Sequence, residues 1–219
     1  MTECHRMLME IARTARDTAW QTGTQRFSES VMCALRKIPR DHFVPRSLSI
    51  EAYDNTALPI GYEQTISQPY IVALMTDMLA LSPEHRCLEV GTGSGYQAAV
   101  LSRLVHEVHS MEIIAPLCAQ ARQRLQRLGY VNVHVHLGNG HQGYPEAAPF
   151  DRIIVTAAAE KIPDALIEQL SPGGRMVIPI GPAYGDQTLY RVDKDLESDV
   201  STQALLAVRF VPLIAMQSA

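Results

Sequence analysis

The residues best suited to chemistry form a glycine-rich segment in the first half of the chain. Residues 88–96 read LEVGTGSGY, and a helix-favouring run, QAAVL, follows at 97–101. An apolar strand that ends in such a turn lets backbone N–H groups approach a ligand closely, as in nucleotide-binding α/β folds. The segment therefore predicts a nucleotide-like cofactor.

Two features of this segment favour S-adenosylmethionine over a dinucleotide. The dinucleotide fingerprint G-x-G-x-x-G needs a small residue at the position that Tyr96 occupies here. Glu89 precedes the loop, where a carboxylate would repel a pyrophosphate but attract the cationic amino-acid part of S-adenosylmethionine. Spacing and charge together thus favour the sulfonium cofactor.

A second acidic residue, Glu112, lies 21 positions after Gly91 and ends an apolar-rich stretch. A carboxylate at the tip of the second strand can accept hydrogen bonds from both ribose hydroxyls. Since adenosine carries ribose in either cofactor, Glu112 supports nucleoside binding without choosing between them. By itself it is also typical of a solvated carboxylate at a helix N-terminus.

The turn Gly138-Asn139-Gly140 is a further candidate, because it is expected at the same edge of the sheet. The side-chain carbonyl of Asn139 could accept a hydrogen bond from the exocyclic amine of adenine. A plain Asn-Gly turn is the alternative, and the local sequence alone favours that alternative.

Composition disfavours several other classes of function. The net charge of −4 and the sequence pI near 6.0 disfavour nucleic acid as a partner. No apolar run approaches the roughly 18 residues of a membrane-spanning helix, so no membrane partner is expected. The four cysteines are dispersed, the histidines lack ligand spacing and no secretory leader is evident. We therefore expect a cytoplasmic protein with reduced thiols and no bound metal.

Strands and helices alternate from residue 86 onward. Strands are predicted at 86–90, 106–111, 132–137, 150–156 and 174–180, and helices at 95–104, 114–127 and 163–170. This alternation predicts an α/β fold with a doubly wound, mostly parallel sheet. A turn at 171–174 is expected to lead into the last of these strands.

The regions before residue 86 and after residue 180 have patterns that differ from this alternation. Before the alternating region we predict helices at 7–20 and 28–38, an irregular segment at 40–59, a polar segment at 61–68 and a helix from Pro69 to about Leu81. After it, strands at 187–192 and 204–212 should form an antiparallel pair. Residues 1–60 are thus expected to be an N-terminal helical appendage with a substrate-side loop, and residues 61–219 the cofactor-binding core of one compact unit.

Several segments occur together in a characteristic order. They are ALPIG at 57–61, QTISQP at 64–69, EVGTGSGYQ at 89–97, APFD at 148–151 and VPL at 211–213. In this order and at these spacings the chain resembles protein-L-isoaspartate O-methyltransferase of the bacterial type. The likeness runs from about Ile38 to Leu213, and the segment Gln64–Pro69 is more specific to this family than the glycine loop.

The resemblance implies a Rossmann-like methyltransferase fold, S-adenosylmethionine as cofactor, and isoaspartyl-containing proteins and peptides as partners. The methyl ester formed on the isoaspartyl carboxyl would collapse to a succinimide that hydrolyses partly to normal aspartate, so the implied role is protein repair. It also implies a set of cofactor contacts: Ile66, Ser67, Glu89, Gly91, Thr92, Gly93, Ser94, Gly95, Glu112, Asn139 and Gly140. Ser67 matches the family's active-site serine, and Val211, Pro212 and Leu213 match the stretch that closes over substrate and cofactor. We expect a monomer.

The residues around Ser67 suit this chemistry. A carboxylate with an unperturbed pKa of about 4 is ionised at neutral pH and attacks a methyl sulfonium without a general base. Thr65 and Ser67 could therefore hold one carboxylate oxygen while the other faces the methyl group. Alternatively, both side chains cap the helix that starts near Pro69. No G-x-S-x-G elbow surrounds Ser67, which disfavours a serine hydrolase.

Three positions depart from the family pattern. Asn139 stands where the family usually has aspartate, Glu63 where bacterial members usually have a small residue, and Ile214 where threonine is frequent. Glu63 would repel an anionic substrate unless it points to solvent. These departures leave two alternatives open: a methyltransferase of the same fold with another carboxylate acceptor, and a binding module without catalysis.

Overall fold

The computed structural model describes residues 2–183 and 185–214, so part of the predicted core, at 184 and 215–219, lies outside the described residues. The helices are α1 (Glu3–Asp17), α2 (Ala19–Thr22), α3 (Glu29–Lys37), α4 (Pro69–Met78), α5 (Tyr96–Ser102), α6 (Ala115–Arg127) and α7 (Asp164–Glu168). The strands are β1 (Leu58–Gly61), β2 (Gln64–Ile66), β3 (Arg86–Val90), β4 (Glu107–Glu112), β5 (Val133–Leu137), β6 (Phe150–Val155), β7 (Leu170–Ile180), β8 (Gln187–Lys194) and β9 (Val200–Val208).

Seven of these strands form one sheet in the order β5-β4-β3-β6-β7-β8-β9. The strands from β5 to β7 pair in parallel, whereas β8 and β9 join in antiparallel fashion. The predicted α/β fold, with a mostly parallel sheet and antiparallel C-terminal strands, is therefore confirmed.

The central strands are apolar on both faces, as a covered parallel sheet requires. In β3, Cys87 packs into one apolar cluster and Leu88 into the other. In β6, Ile154 belongs to the first cluster and Ile153 to the second. Because successive side chains of a strand point to opposite faces, the two clusters lie on the two sides of the sheet.

The first cluster also contains buried apolar residues of the N-terminal helices α1 and α3. Met7, Leu8 and Ile11 of α1 and Leu35 of α3 are buried in it together with α4 and α5. These helices therefore share their core with the sheet.

Several predicted boundaries are wrong. The irregular segment predicted at 40–59 and the polar segment at 61–68, for which no strand was predicted, together contain the hairpin β1–β2, whose turn is formed by Tyr62 and Glu63 at φ 53° and 58°. Strand β7 begins at Leu170, so the predicted turn at 171–174 lies within a strand that is irregularly paired with β6. Strand β9 ends at Val208, before the predicted limit. Helix α4 ends at Met78 instead of Leu81, and Ala80 beyond it has φ 48°.

A cluster of imidazole rings covers the second face at β4 and β5. His109 Nδ1 lies 3.1 Å from His136 Nε2, and the His136 ring stacks on Tyr144 with 3.9 Å between ring centroids. Glu107 lies 3.2 Å from His109 and 3.1 Å from His134. Burial, followed by the repulsion of His109 and His134, lowers the pKa of His136 to about 4, and burial also lowers the pKa of His109.

Within residues 2–183 and 185–214, no helix is both long and apolar enough to cross a bilayer. In the same ranges no three His, Cys, Asp or Glu side chains are grouped as metal ligands would be.

We expect acid to destabilise the fold through His136. As the pH falls from about 6.5 to about 4, the unfolded chain binds a proton at His136 that the folded chain does not, so the free energy of unfolding decreases. Thermal unfolding across this range measures the effect, and His136→Phe, which keeps a ring against Tyr144, should flatten the slope. The control His106→Asn removes an exposed histidine and should keep the slope. An undiminished slope in His136→Phe would contradict the assignment.

Candidate active site

Three cavities meet at the carboxyl ends of the parallel strands. The largest, the outer cavity, measures about 600 Å³ and lies between Thr14, Asn55, Tyr70 and the segment 206–211. The rim cleft, about 60 Å³, lies between Glu112, Gly140 and residues 211–214. The loop cleft, about 40 Å³, lies between the hairpin end and residues 91–94. Thr65 and Thr156 line all three cavities.

The floor of the site is a close contact between the ends of β3 and β6. The Thr156 N–H donates to Val90 O at 2.9 Å, and its hydroxyl donates to Gly91 O at 2.7 Å. Gly91 has φ 101°, and a Cβ there would overlap the Thr156 hydroxyl. Only glycine therefore permits this approach without strain.

Glu112 lies at the end of β4, as predicted, and ties the glycine loop to the following strand end. One carboxylate oxygen accepts a hydrogen bond from Gly93 N at 2.8 Å, and the other accepts from Ile114 N at 2.9 Å. Each oxygen keeps a second lone pair for a further donor. The residue thus both holds the loop and presents an anionic edge to the rim cleft.

Glu89 lies outside the two clefts in which its direct contact with the cofactor is predicted. Its side chain is fully buried, lines neither cleft, and accepts a hydrogen bond from Ser110, whose hydroxyl also lies 2.6 Å from that of Thr92. The other carboxylate oxygen has no partner among the described residues. Burial raises the pKa of Glu89 to about 8. At neutral pH the group is therefore mostly uncharged, and direct attraction of a cofactor by Glu89 stays a prediction.

Thr65 and Ser67 do not cap α4. The helix begins after Gln68, and the cap is supplied by Asn55, whose side-chain oxygen accepts from Tyr70 N at 2.9 Å. Gln68 in turn donates to Asn55 O at 2.9 Å. Ser67 lines both the outer cavity and the loop cleft, so its hydroxyl is free to bind a ligand at their junction.

The roof of the rim cleft is formed by two segments that are distant in sequence. Leu213 N donates to Ala158 O at 2.7 Å, and Leu213 O lies 3.1 Å from His141 Nε2. Gly140 packs so closely on Val90 and Leu213 that a Cβ would collide with Val90. Residues 211–213 therefore line the rim cleft, and their closure over a bound substrate and cofactor stays a prediction.

Asn139 serves the local turn in this structure. Its side-chain oxygen accepts a hydrogen bond from His141 N at 3.0 Å and caps the short helix at 140–142. This agrees with the plain turn that the local sequence favours, and a contact with adenine stays a prediction. Glu63, whose carboxylate would repel an anionic substrate nearby, is exposed at the hairpin turn and lines none of the three cavities. Ile214, by contrast, lines the rim cleft.

The two clefts fit a cationic nucleoside. Of the residues that the structure describes, Glu112 is the one charged side chain lining the rim cleft, and those lining the loop cleft are uncharged. A pyrophosphate would find no cation here and would meet a carboxylate, whereas a sulfonium would be attracted. The bare backbone at Gly91 and Gly140 leaves room for close approach. The described residues therefore fit S-adenosylmethionine and disfavour a dinucleotide.

Comparison with known proteins agrees with this chemistry. The profile of the family described as protein-L-isoaspartate(D-aspartate) O-methyltransferase matches residues 16–218. The chain belongs to this family. The protein-L-isoaspartate O-methyltransferase 2 of Polaromonas sp. (strain JS666) is 55% identical over 207 residues, which cover 94% of this chain and 98% of that protein. The predicted family, class of enzyme and S-adenosylmethionine cofactor are confirmed.

Two solved structures share the fold. A protein-L-isoaspartate O-methyltransferase aligns at a TM-score of 0.79 and 29% identity over 94% of this chain, which covers 65% of that longer chain. A Plasmodium falciparum protein described as a beta-aspartate methyltransferase was solved in complex with S-adenosyl-L-homocysteine. It aligns at a TM-score of 0.79 and 24% identity over 95% of this chain and 97% of that chain. The predicted Rossmann-like methyltransferase fold is confirmed.

Sequence reasoning identified one residue of this family member's site only as part of a strand end and missed the contacts of two others. The end of the predicted strand 150–156 is a site candidate because ligands bind at the carboxyl ends of parallel strands, and Thr156 at this end borders all three cavities. The local sequence gives no signal for the contacts of Asn55 and Ser110, because their partners Tyr70 and Glu89 are 15 and 21 positions away.

We expect Gly91→Ala to be more damaging than Gly129→Ala. Both glycines have positive φ, at 101° and 78°, but a Cβ at Gly129 meets nothing within 4 Å. Gly129→Ala should cost about 1–2 kcal/mol of stability through backbone strain alone. Gly91→Ala should cost more and should also weaken S-adenosylhomocysteine binding at least about ten-fold (~1.4 kcal/mol), because Thr156 must move.

Thermal unfolding and calorimetric titration with S-adenosylhomocysteine measure both effects. Equal losses of stability and of affinity in the two variants would contradict a special role for the contact between Gly91 and Thr156.

Proposed function

We propose that the protein transfers a methyl group from S-adenosylmethionine to the free α-carboxyl group of L-isoaspartyl residues in damaged proteins and peptides, which starts their repair. The observation that carries this proposal is the meeting of the outer cavity with both clefts at Thr65 and Thr156. We infer that the peptide chain occupies the open outer cavity and that the nucleoside of the cofactor lies along the two narrow clefts. The family relationship indicates which carboxyl group is the acceptor.

Thr65 and Ser67 are the proposed catalytic residues, and they act by holding the acceptor. An ionised carboxylate needs no general base, so the task of the protein is alignment. The two hydroxyls donate hydrogen bonds to one carboxylate oxygen and leave the other oxygen facing the methyl group. The N-terminus of α4 adds partial positive charge beside Ser67. Alignment of this kind is worth up to roughly 7–11 kcal/mol.

S-adenosylmethionine, when bound, supplies a methyl group that its sulfonium charge makes electrophilic. The proposed cofactor-binding residues that line the clefts are Ile66, Ser67, Gly91, Thr92, Gly93, Ser94, Glu112 and Gly140. Glu89, Gly95 and Asn139 complete the proposed set of cofactor-binding residues, and each also supports the residues that line the clefts. Glu89 holds Ser110 below the loop, Gly95 lets α6 pack closely through Leu125, and Asn139 caps the turn that carries Gly140.

The tail segment is proposed to complete the substrate side. Val211 lines both the outer cavity and the rim cleft, while Pro212 and Leu213 line the rim cleft. Their apolar surface excludes water from the place where the carboxylate is methylated, which strengthens every electrostatic interaction there. Thr65, Ser67 and these three residues together form the proposed substrate contact.

We also propose that the protein acts as a monomer in the cytoplasm and does not bind nucleic acid. Cys4, Cys33, Cys87 and Cys118 are free thiols, which is typical of a reducing compartment. The net charge of −4 would repel a phosphate backbone.

Methyl transfer to one short peptide in paired isoaspartyl and aspartyl forms tests the proposed activity. We expect labelled methyl on the isoaspartyl form alone, and release of the label as methanol in mild base, because the neighbouring backbone nitrogen displaces methanol as the ester closes to the succinimide. Equal labelling of both forms would indicate a less selective carboxyl methyltransferase. Absence of label on both forms would contradict the proposed activity.

Replacing Ser67 with alanine tests the clamp. We expect the turnover rate to fall at least about ten-fold, equivalent to one lost charge-assisted hydrogen bond, while affinity for S-adenosylhomocysteine is mostly retained. Ser201→Ala is the matched control, because Ser201 is exposed on β9 and lines none of the three cavities. Unchanged turnover in Ser67→Ala would show that its hydroxyl does not hold the acceptor.

A further inference from the structure

Among the described residues that line the outer cavity, Arg209 is the single charged side chain. The other residues that line the cavity carry hydroxyl, amide or apolar side chains. Arg209 is exposed, and among residues 2–183 and 185–214 it forms no salt bridge. Its guanidinium is therefore available to a ligand in this cavity.

The backbone that carries Arg209 is held firmly on its C-terminal side. The side chain of Gln187, which is 2% exposed, accepts a hydrogen bond from Phe210 N at 2.6 Å and donates one to Phe210 O at 3.1 Å. Val211 O accepts from Ala158 N at 2.8 Å. On its N-terminal side Arg209 directly follows strand β9. The position of this cation relative to the cavity is thus set by the sheet and by a buried amide.

Arg209 lies apart from the place of methyl transfer. It lines the outer cavity but neither cleft, whereas Thr65 and Ser67 line the cavity and a cleft together. A peptide whose isoaspartyl carboxyl reaches the clefts would leave its neighbouring residues along the outer cavity, at about 3.3 Å per extended residue. On this arrangement we expect a flanking residue, rather than the acceptor, to meet Arg209.

The charge balance makes this position informative. The protein as a whole carries a net charge of −4, which by itself disfavours acidic peptides. A guanidinium presents a planar fork of donors that matches a carboxylate in two-point contact. Arg209 is an unpaired cation among uncharged lining residues. At its position the cavity therefore attracts an acidic side chain, although the net charge of the protein disfavours acidic peptides.

We propose that Arg209 is a specificity-determining residue that gives the enzyme a preference for isoaspartyl substrates with an acidic side chain close to the isoaspartyl residue. The proposal rests on the proposed function and adds a substrate class to it. The preference is electrostatic, so it weakens as salt screens the exposed guanidinium.

A set of matched peptides tests it. A short neutral isoaspartyl peptide is compared with versions that carry Glu or Gln at each of the two positions before and after the isoaspartyl residue. At low ionic strength we expect kcat/KM for wild-type enzyme to be about two- to five-fold higher for Glu than for Gln at one or more positions. In Arg209→Gln the ratio of kcat/KM for the Glu peptide to that for the Gln peptide should fall to one or below. Arg209→Lys should retain part of the preference. Both variants should methylate the neutral peptide at nearly the wild-type rate.

Arg127→Gln provides the control, because it removes the same charge from an exposed position at the end of α6, outside the three cavities, and should leave the ratio unchanged. A wild-type ratio of one or less at every position, or a ratio that survives in Arg209→Gln, would overturn the proposal. Equal loss of kcat/KM for all peptides in Arg209→Gln would also overturn it, since the residue would then act on the acceptor or on the fold. Absence of methylation of the neutral isoaspartyl peptide by wild-type enzyme would instead refute the proposed function, and this proposal with it.

Discussion

The site depends on the contact between Gly91 and Thr156, where two central strands end side by side. The Thr156 hydroxyl and N–H bind the carbonyl oxygens of Gly91 and Val90, and the absent Cβ of Gly91 makes this approach possible. Because Thr156 then borders all three cavities, the same contact also shapes the place where the cavities meet. The absence of one side-chain atom, the Cβ of Gly91, thus sets the geometry of the candidate active site.

Two distant parts of the chain are attached to this junction by a few polar contacts. Asn55 caps α4 and so holds the N-terminal region against the segment that carries Ser67. At the other end, Gln187 and Ala158 hold the tail that carries Arg209 and Leu213. Each contact involves a backbone group that would be costly to leave unpaired inside the protein. These contacts therefore attach the walls of the cavity to the sheet and to α4.

The two acidic residues at neighbouring strand ends have different electrostatic roles because their environments differ. Glu89 lies beneath the loop, where burial raises its pKa to about 8, so it serves as a neutral hydrogen-bonding group for Ser110. Glu112 reaches the rim cleft and accepts from two backbone N–H groups, which suits a carboxylate. The clefts therefore present one carboxylate instead of two, and this lone charge still favours a cationic cofactor over a pyrophosphate.

The sequence by itself determined the alternation of strands and helices, the glycine loop and the place of Glu112 at a strand end, because each depends on local periodicity or turn chemistry. It also determined the family, through the combined segments from 57 to 213. Tertiary structure decided that residues 58–66 form a hairpin without an Asn-Gly signal and that Glu89 is buried. It also decided that Asn55, and not Ser67, caps α4, and that Arg209 lines the outer cavity. These features result from contacts between residues far apart in the chain, so burial and long-range hydrogen bonds, rather than local pattern, determine them.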